Sequence, residues 1–370
     1  MEMQPVEQRD RYAPLDILRG IALYGVLIVN LETLFRVSLL AHMSGGDRPS
    51  DAAGRFLLSA TGTLMEFKAF TLFSFLFGVG IALQAQRVEG RGSIPRFLLR
   101  RFFVLLIFGL IHLYFIWNGD ILTLYAVCGF LLIPLLRLGP IWMALGGALL
   151  IGWSAFGSIP IDFPGTAALR EQAAAAARVY GKGGFAEILS FRIDEANRFM
   201  APLLVLTLPR ALGVMMLGVA AWRSGLLTAG RRWWPAILTV SVLAATAGIY
   251  WRDEVAEQFG LAFAYAAAAL LWIRRAPLLA AGGRMALTNY LAESIVFGIV
   301  FYGYGFGMLG RAGVVPVFVW GTAFYIAQLV FSRWWLGRFR FGPFEWVWRS
   351  LTYGRRQPML YRREASAGAL

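Results

Sequence analysis

Ten stretches of the sequence are apolar over a length that can cross a membrane. They lie near residues 16–36, 65–86, 101–117, 120–136, 140–158, 199–221, 234–250, 257–273, 285–304 and 314–332. A helix of about 20 mostly apolar residues spans the hydrocarbon core of a bilayer. Backbone polar groups find no water there, so each must be bonded within the helix. The pattern predicts an all-α integral membrane protein with about ten transmembrane helices.

The composition excludes an ordinary soluble domain. Hydrophobic residues make up 58% of the chain and charged residues 15%, whereas a soluble domain carries about 25% charged residues. The chain has one cysteine, Cys128, and two histidines. We therefore expect neither a disulfide nor a metal site. The polar start of the chain lacks a signal-peptide pattern, so we expect the first helix to direct insertion.

The distribution of basic residues predicts the topology. With ten helices, 22 of the 35 lysines and arginines fall on the side of the termini, 10 fall on the other side and three lie within spans. The positive-inside rule then places both termini in the cytoplasm. The net charge of +14 is explained by this asymmetry, and we expect no nucleic-acid partner.

We interpret residues 1–332 as one polytopic transmembrane domain with external loops near 37–64 and 159–198. The second loop contains an alanine-rich helix former, which would serve as a lid or as a structural cap. Residues 333–370 mix arginine with aromatic residues, a combination that suits a cytoplasmic tail at the membrane interface, in contact with lipids. The sequence also allows a homo-oligomer.

The first helix carries three polar residues on one face. Asp16, Arg19 and Asn30 fall within about 60° of one another, and the stripe is about 21 Å long. One interpretation is modest: Asp16 caps the helix, Arg19 reaches the headgroups, and Asn30 bonds to a neighbouring helix. The other is a functional face. Charged or polar groups within membrane helices generally mark functional sites.

Glu66 and Lys68 stand at the start of the second span. Two residues apart on a helix, they point about 200° away from each other. We therefore expect each to find its partner on another helix. A structural ion pair and a substrate-binding role both remain open.

His112 is an ionisable residue within the third span, and Asp120 follows it across a predicted Trp-Asn-Gly turn. Asp120 is placed to cap the fourth helix. A carboxylate, either Asp120 or Glu66, could also orient the imidazole and raise its basicity. One carboxylate has enough lone pairs for both tasks.

Arginines further along the chain suggest an anion site. Arg210 lies near the middle of the sixth span, too deep to reach the headgroups easily. In the ninth span Asn289 and Glu293 share a face, with Arg284 just before them. Arg19, Arg210 and Arg284 could line a basic path from the cytoplasm, and phosphate groups of a nucleotide-containing donor are natural ligands for it.

Several of these segments resemble the YeiB-like family of bacterial integral membrane proteins, a domain of unknown function. The resemblance rests on LDILRGIALYGVLIVN (15–30), FKAFTLFSFLFGVGIALQ (67–84), GLIHLYFIWNGDILTLYAVCG (109–129), RALGVMMLGVAAWRSGLL (210–227), GRMALTNYLAESIVFGIVFYGYGFGMLG (283–310) and FRFGPFEWVWRSLTYGRRQPM (339–359). It covers nearly the whole chain. It implies a multi-pass protein of the bacterial cytoplasmic, or inner, membrane.

The first helix is similar to that of the wider transmembrane acyltransferase group. The polysaccharide O-acetyltransferases of that group carry an arginine, ten residues and then a catalytic histidine, whereas this chain has Arg19, ten residues and then Asn30. In the heparan-glucosaminide N-acetyltransferase a Val-Asn helix end is similar to Val29 and Asn30, and its catalytic histidine comes from elsewhere. His112 is the candidate replacement here.

The leading hypothesis is an acyltransferase that takes an acyl group, acetyl in the simplest case, from cytoplasmic acyl-CoA and passes it to a hydroxyl or amine on the outer side. His112 would act as base, Asp120 or Glu66 would orient it, and Asn30 would donate to the carbonyl oxygen. The substrate- or donor-binding candidates are Asp16, Arg19, Lys68, Arg210, Arg284, Asn289 and Glu293. The co-substrate would be acyl-CoA, without a metal.

Two other classes of function remain open. A transporter or exporter of a small organic or lipid-like molecule would use the same buried charges as a substrate and proton pathway. A non-catalytic membrane scaffold or sensor would use its polar residues only to hold helices together.

Overall fold

The computed structural model describes residues 12–46, 49–90, 92–156, 165–229 and 232–361. These residues form sixteen α-helices: α1 (Ala13–Asn30), α2 (Leu39–Met43), α3 (Ala52–Leu64), α4 (Lys68–Val88), α5 (Ile94–Ile111), α6 (Leu122–Leu135), α7 (Pro140–Phe156), α8 (Thr166–Lys182), α9 (Phe185–Glu195), α10 (Ala201–Arg223), α11 (Trp234–Trp251), α12 (Glu254–Trp272), α13 (Pro277–Arg284), α14 (Ala286–Phe301), α15 (Val314–Leu336) and α16 (Pro343–Tyr353). The prediction of an all-helical protein is confirmed.

Most of the helical segments are apolar. Within the described residues, seven are long and apolar enough to cross a membrane: Ala13–Phe35, Ala52–Val88, Ile94–Ile116, Phe185–Arg223, Trp234–Trp251, Glu254–Trp272 and Val314–Leu336. Three shorter apolar helices, α6, α7 and α14, accompany them. Each of the ten predicted spans therefore coincides with an apolar helix, and the chain is a multi-pass membrane protein.

Three helices continue into a single π-helical turn. α1 continues through Leu31–Phe35, α5 through His112–Ile116 and α9 through Ala196–Met200. Such wider turns occur frequently at functional sites, because they change the direction in which side chains leave the helix. One of them begins at His112.

Small residues allow the central helices to approach closely. α4 and α10 cross where Gly78 faces the backbone of Met215 and Gly218 faces the backbone of Phe75. A methyl group at either glycine would overlap a backbone carbonyl oxygen of the facing helix. Close backbone contact of this kind replaces the hydrophobic driving force that is missing between helices in lipid.

Different helices lie at the two ends of the bundle. The start of α1, the start of α5, α13 and α16 lie at one end, which we name the terminal end. At the other end, which we name the opposite end, α2 and α8 pack together beside α9. The basic tail therefore includes a helix, α16, that packs on α5, and Trp348 Nε1 donates to the carbonyl oxygen of Arg101 at 3.0 Å.

Some predicted features lie outside the described residues. These are the polar N-terminal segment as far as residue 11, residues 47–48 of the first external loop, residues 157–164 at the end of the fifth span and the start of the second loop, and the end of the tail at 362–370. The alanine-rich segment of the second predicted external loop forms α8, and α9 follows it.

Candidate functional site

His112 lies between a carboxylate and a hydroxyl group. Its Nδ1 is 2.9 Å from Oδ1 of Asp120, and its Nε2 is 2.9 Å from Oγ of Ser294. The Ser294 hydroxyl also lies 3.2 Å from the carbonyl oxygen of Tyr290, to which it can donate instead. The imidazole is 0% exposed. Both of its nitrogens are therefore hydrogen-bonded inside the bundle.

Asp120 has two kinds of partner at once. Besides its contact with His112, its carboxylate accepts the backbone N–H of Leu122 at 3.1 Å and that of Thr123 at 2.7 Å. These are the first residues of α6, whose N–H groups have no partner within the helix. Asp120 therefore caps α6 and bonds to His112 at the same time.

The local fold explains why residues eight positions apart meet. The π-helical turn that begins at His112 is closed by the N–H of Trp117, which donates to the His112 carbonyl oxygen at 2.7 Å. The Trp117 ring then stacks on Phe35, with ring centroids 4.7 Å apart. The chain turns through residues 117–120, and Asp120 returns beside the imidazole.

A cavity of about 210 Å³ lies at the terminal end, and we name it the basic cavity. Its charged and strongly polar lining consists of Asp16, Arg19, Gln84, Arg101, Arg284, Glu345 and Arg349. Among the described residues, four arginines thus face two carboxylates. Its deep wall includes Leu122 and Tyr290, and the Tyr290 ring is 5.0 Å from the His112 ring.

Both carboxylates of the basic cavity are already engaged. Asp16 pairs with Arg19 at 2.6 Å. Glu345 accepts the backbone N–H of Thr288 at 3.0 Å and its hydroxyl at 2.5 Å, which fixes the start of α14. Because Glu345 is buried, its pKa is raised above the ordinary value.

Two arginines of the basic cavity rest on aromatic rings. The guanidinium carbon of Arg101 lies 3.6 Å from the centroid of the Trp348 ring, and that of Arg349 lies 4.8 Å from the Phe341 ring. Cation–π contacts of this kind hold a guanidinium in place without neutralising its charge. Burial lowers the pKa of Arg349, because the charged form loses solvation. An anion entering the cavity would restore the favourable interactions of these charges.

A second cavity, of about 290 Å³, lies at the opposite end, and we name it the opposite-end cavity. Its polar lining consists of Asn30, Thr33, His42, Glu66, Asn118, Asp120 and Thr207, and most of the remainder is aliphatic or aromatic. His42 Nε2 is 3.2 Å from Glu66 Oε1.

The two cavities approach each other beside Asp120. Val26 and Ile121 line both of them, so these two residues form part of the partition between the cavities. One face of α1 contributes to both walls: Asp16 and Arg19 line the basic cavity, and Asn30 lines the opposite-end cavity. His112 lines neither cavity, whereas Asp120 lines the second.

The alternative in which Glu66 orients His112 is corrected by the structure, since Glu66 pairs with His42. Lys68 points away and bonds to Oε1 of Glu257 at 2.8 Å, so it lies outside the lining of both cavities. Each residue has its partner on another helical segment, as predicted. The residue between them, Phe67, has φ of +59°, which interrupts the helix and turns the two side chains apart.

The predicted basic path needs a similar correction. Arg19 and Arg284 line the basic cavity, but Arg210 does not. Its NH1 donates to Gln258 Oε1 at 3.1 Å and its Nε lies 3.4 Å from Ser154 Oγ. Arg210 therefore joins α10 to α12 and α7, where it holds helices together.

The two predicted polar residues of α14 also lie outside the cavities. Asn289 Nδ2 donates to Ser332 Oγ at 3.1 Å and to the carbonyl oxygen of Gly282 at 3.3 Å, which ties α14 to α15 and α13. Glu293 is only 2% exposed and lines neither cavity. Neither residue is placed to contact a ligand of the basic cavity.

Sequence reasoning missed several residues of the site. Ser294 follows Glu293 directly, and an uncharged serine within a membrane helix is a weaker indication of a site than the neighbouring carboxylate. Arg101 is the first residue of a predicted span and Arg349 stands in the basic tail, so neither position by itself indicates a cavity. Glu195, which accepts from Asn118 Nδ2 and from the Tyr180 hydroxyl, each at 2.5 Å, fixes the turn that carries Asp120.

Comparison with known proteins gives the family. The family described as Protein of unknown function (DUF418) matches residues 189–355. "Uncharacterized protein YxaH" of Bacillus subtilis (strain 168) is 31% identical, with 96% of this chain and 98% of that protein covered. The chain belongs to the DUF418 family. "Uncharacterized protein YeiB" of Escherichia coli (strain K12) is 30% identical over 93% of this chain and 96% of its own length.

The resemblance to YeiB-like proteins is thereby confirmed. A third relative, the "Uncharacterized 39.9 kDa protein in amylase 3'region" of Bacillus acidopullulyticus, is 31% identical over 98% of this chain and 100% of its own length. These relatives are bacterial, and the similarity covers nearly the whole chain. The residues that line the two cavities are distributed along the chain from α1 to α16.

Proposed function

We propose that this protein is a transmembrane acyltransferase that moves an acyl group from cytoplasmic acyl-CoA to a hydroxyl or amine acceptor on the outer side. One observation carries the proposal: a basic cavity and a mainly apolar cavity enter from opposite ends and approach each other at Val26 and Ile121, beside Asp120 and His112. A donor and an acceptor could meet there without either crossing the bilayer.

The proposal includes a topology. The asymmetry of lysine and arginine favours a cytoplasmic location for the terminal end, with both termini inside the bacterial cytoplasmic membrane. All ten apolar helices would then cross the bilayer. The basic cavity would open toward the compartment that contains acyl-CoA.

The arginines of the basic cavity would hold the phosphate groups of the donor. Arg19, Arg101, Arg284 and Arg349 present planar guanidinium groups, which match phosphate oxygens in a bidentate manner. Their four charges exceed the two carboxylates of the same cavity, so an anionic ligand is favoured. The acyl thioester would extend along α1 toward Val26.

The reaction needs a base for the acceptor. The acceptor oxygen or nitrogen attacks the thioester carbonyl, a C–O or C–N bond forms, the C–S bond breaks, and the thiolate leaves and takes up a proton. Asp120 forms part of the wall against which the acceptor would lie, and the Asp120–His112 pair would hold the acceptor's proton as one unit. Asn30, on the wall shared with Asp120, would donate to the developing oxyanion.

Ser294 gives the imidazole two stable arrangements. When His112 is neutral, the Ser294 hydroxyl can donate to Nε2. When His112 gains a proton, the hydroxyl can accept from Nε2 and donate to the Tyr290 carbonyl oxygen, 3.2 Å away. The same atoms thus satisfy both charge states of the imidazole with little rearrangement, as general-base catalysis requires.

Acyl-CoA-dependent thermal stabilisation of the purified protein tests the donor site. We expect acetyl-CoA to raise the melting temperature of the wild type, and Arg101→Gln and Arg349→Gln to weaken this effect. Arg333→Gln, at an exposed position near the end of α15, is the matched control. Absence of any shift with CoA compounds would refute the proposal.

The second test follows the chemistry. Release of free CoA in the presence of acceptor-containing membrane extract should fall by about 10²- to 10⁴-fold in His112→Gln, while stabilisation by acetyl-CoA persists. Unchanged CoA release in this variant would exclude His112 as part of the base.

Transport of a small organic or lipid-like molecule is the second candidate, and the opposed cavities favour it as well. A transporter would alternate access between them. Uptake or release of a small anion by proteoliposomes, together with no CoA-dependent shift, would establish transport in place of acyl transfer.

A further inference from the structure

We propose that the opposite-end cavity is a binding site for an amphiphilic primary amine, with the amine at the His42–Glu66 pair and the aliphatic part along the apolar wall. This inference rests on the proposed acyltransferase function and names the class of its acceptor. The observations that carry it are the placement of a second imidazole–carboxylate pair in the cavity, the sign of its charge and the nature of its wall.

The His42–Glu66 pair is built by a local distortion of the chain. Phe67 adopts the left-handed region, and the N–H of Lys68 donates to the Glu66 carbonyl oxygen at 2.7 Å. This tight turn separates α3 from α4. Conformations of this kind are costly for a bulky residue and concentrate at functional sites. Here the turn sends Glu66 toward His42 and into the cavity.

The pair is accessible, in contrast to the pair formed by His112 and Asp120. The side chain of His42 is 26% exposed and that of Glu66 is 24% exposed, whereas the side chains of His112 and Asp120 are each 0% exposed. His42 and Glu66 therefore form a polar rim at which a ligand headgroup can arrive.

The charges of the two cavities are opposite in sign. Glu66 and Asp120 are carboxylates, and among the described residues that line the opposite-end cavity there is no lysine or arginine. A cationic or neutral headgroup is therefore favoured, and an anionic one is disfavoured. This contrasts with the four arginines of the basic cavity.

The remaining wall suits an aliphatic chain. It includes Met65 and Phe70, Leu124 from α6, and Leu203 and Leu204 from α10. Binding sites of this type are mostly apolar, with a few polar groups that fix the orientation of the ligand. The polar rim at one end of an apolar wall matches the shape of an amphiphile.

The number of imidazole–carboxylate pairs favours an amine over a hydroxyl group. An alkylammonium must lose two protons to become an amide, whereas an alcohol loses one to become an ester. His42–Glu66 would take the first proton and give the neutral amine. This amine attacks the thioester, the C–N bond forms, the C–S bond breaks, and Asp120–His112 takes the second proton. One proton neutralises the CoA thiolate and the other is released.

Amphiphiles of equal chain length test the site. The purified full-length protein in nanodiscs is titrated with n-dodecylamine, n-dodecanol and dodecanoate, and the melting temperature is followed. We expect the amine to stabilise the protein at the lowest concentration. Glu66→Gln should raise its half-saturation concentration at least about tenfold, the effect of losing one charge-assisted hydrogen bond. Glu187→Gln, an exposed carboxylate on α9, should have no effect.

Leu203→Trp provides an independent variant, because it changes the apolar wall and leaves both residues of the His42–Glu66 pair in place. It should abolish stabilisation by the amine. The inference is overturned if dodecanoate stabilises the wild type as strongly as the amine does, or if Glu66→Gln and Leu203→Trp both leave amine binding unchanged.

The outcome can be separated from that of the proposed function. Amine binding that depends on Glu66, without stabilisation by acetyl-CoA, would support the amine-binding site and refute the acyltransferase function. Stabilisation by acetyl-CoA that depends on Arg101, without amine binding, would support the acyltransferase function and refute the proposal of an amine acceptor.

Discussion

Replacement of Asp120 by serine separates the two interactions that this side chain makes. Serine is as good a helix cap as aspartate, so the N–H of Thr123 keeps an acceptor. Its shorter side chain does not reach His112, so the imidazole loses its partner at Nδ1. Asp120→Ala removes both interactions, and the pair of variants isolates each contribution.

The magnitudes follow from burial and bonding. A buried polar group that loses its partner costs about 1–3 kcal/mol, and His112 is fully buried. Loss of a cap costs about 1 kcal/mol. We therefore expect Asp120→Ser to lower the free energy of unfolding by about 2 kcal/mol and Asp120→Ala to lower it by about 3 kcal/mol.

Unfolding in mixed micelles by added SDS, followed by circular dichroism, measures these differences. A double-mutant cycle with His112→Ala should give a coupling energy of about 1.5–3 kcal/mol between residues 112 and 120. If Asp120→Ser is as stable as the wild type and adds without coupling to His112→Ala, the buried hydrogen bond contributes nothing and the reasoning fails. Equal stability of the serine and alanine variants would instead refute the capping role.

The other predictions concern helix packing and pH. Gly78→Ala should lower the free energy of unfolding by about 1–3 kcal/mol, because its methyl group would meet the backbone of Met215. The control Gly152→Ala, with no neighbour within 4 Å, should not lower it. Equal effects of the two variants in SDS titrations would contradict the α4–α10 contact. Burial raises the pKa of Glu345 above its ordinary value of 4.5. The carboxyl group therefore binds its proton more tightly in the folded state than in the unfolded state. As the pH rises above 4.5 toward the folded-state pKa, the wild type should lose stability relative to Glu345→Gln. A constant difference in melting temperature between the wild type and this variant across the window would show that Glu345 does not titrate there.

Hydropathy predicted the membrane helices because each apolar run is long and is interrupted by polar turns. The meeting of His112 and Asp120 was also predictable, since a turn joins residues eight positions apart. Helical periodicity placed Asp16, Arg19 and Asn30 on one face, and that face runs along both cavities. These features depend only on local sequence.

The remaining features depend on which helix faces which. The sequence groups Arg210 with Arg19 and Arg284 as a basic path from the cytoplasm, yet the neighbours of Arg210 are Ser154 and Gln258. Glu66 was a candidate partner for His112, but the left-handed residue Phe67 turns it toward His42. Neither the choice of neighbouring helices nor a single unusual backbone angle leaves a periodic signal in the sequence.

The partners of His112 differ greatly in their distance along the chain, and this sets the order in which the site is assembled. Asp120 lies 8 residues away and Ser294 lies 182 residues away. During synthesis the hairpin of α5 and α6 can enter the membrane with its histidine and aspartate already joined. The second imidazole nitrogen gains its partner only when α14 is inserted. A chain that stalls before α14 would therefore hold a half-built site, and its completion is one of the last events in biogenesis.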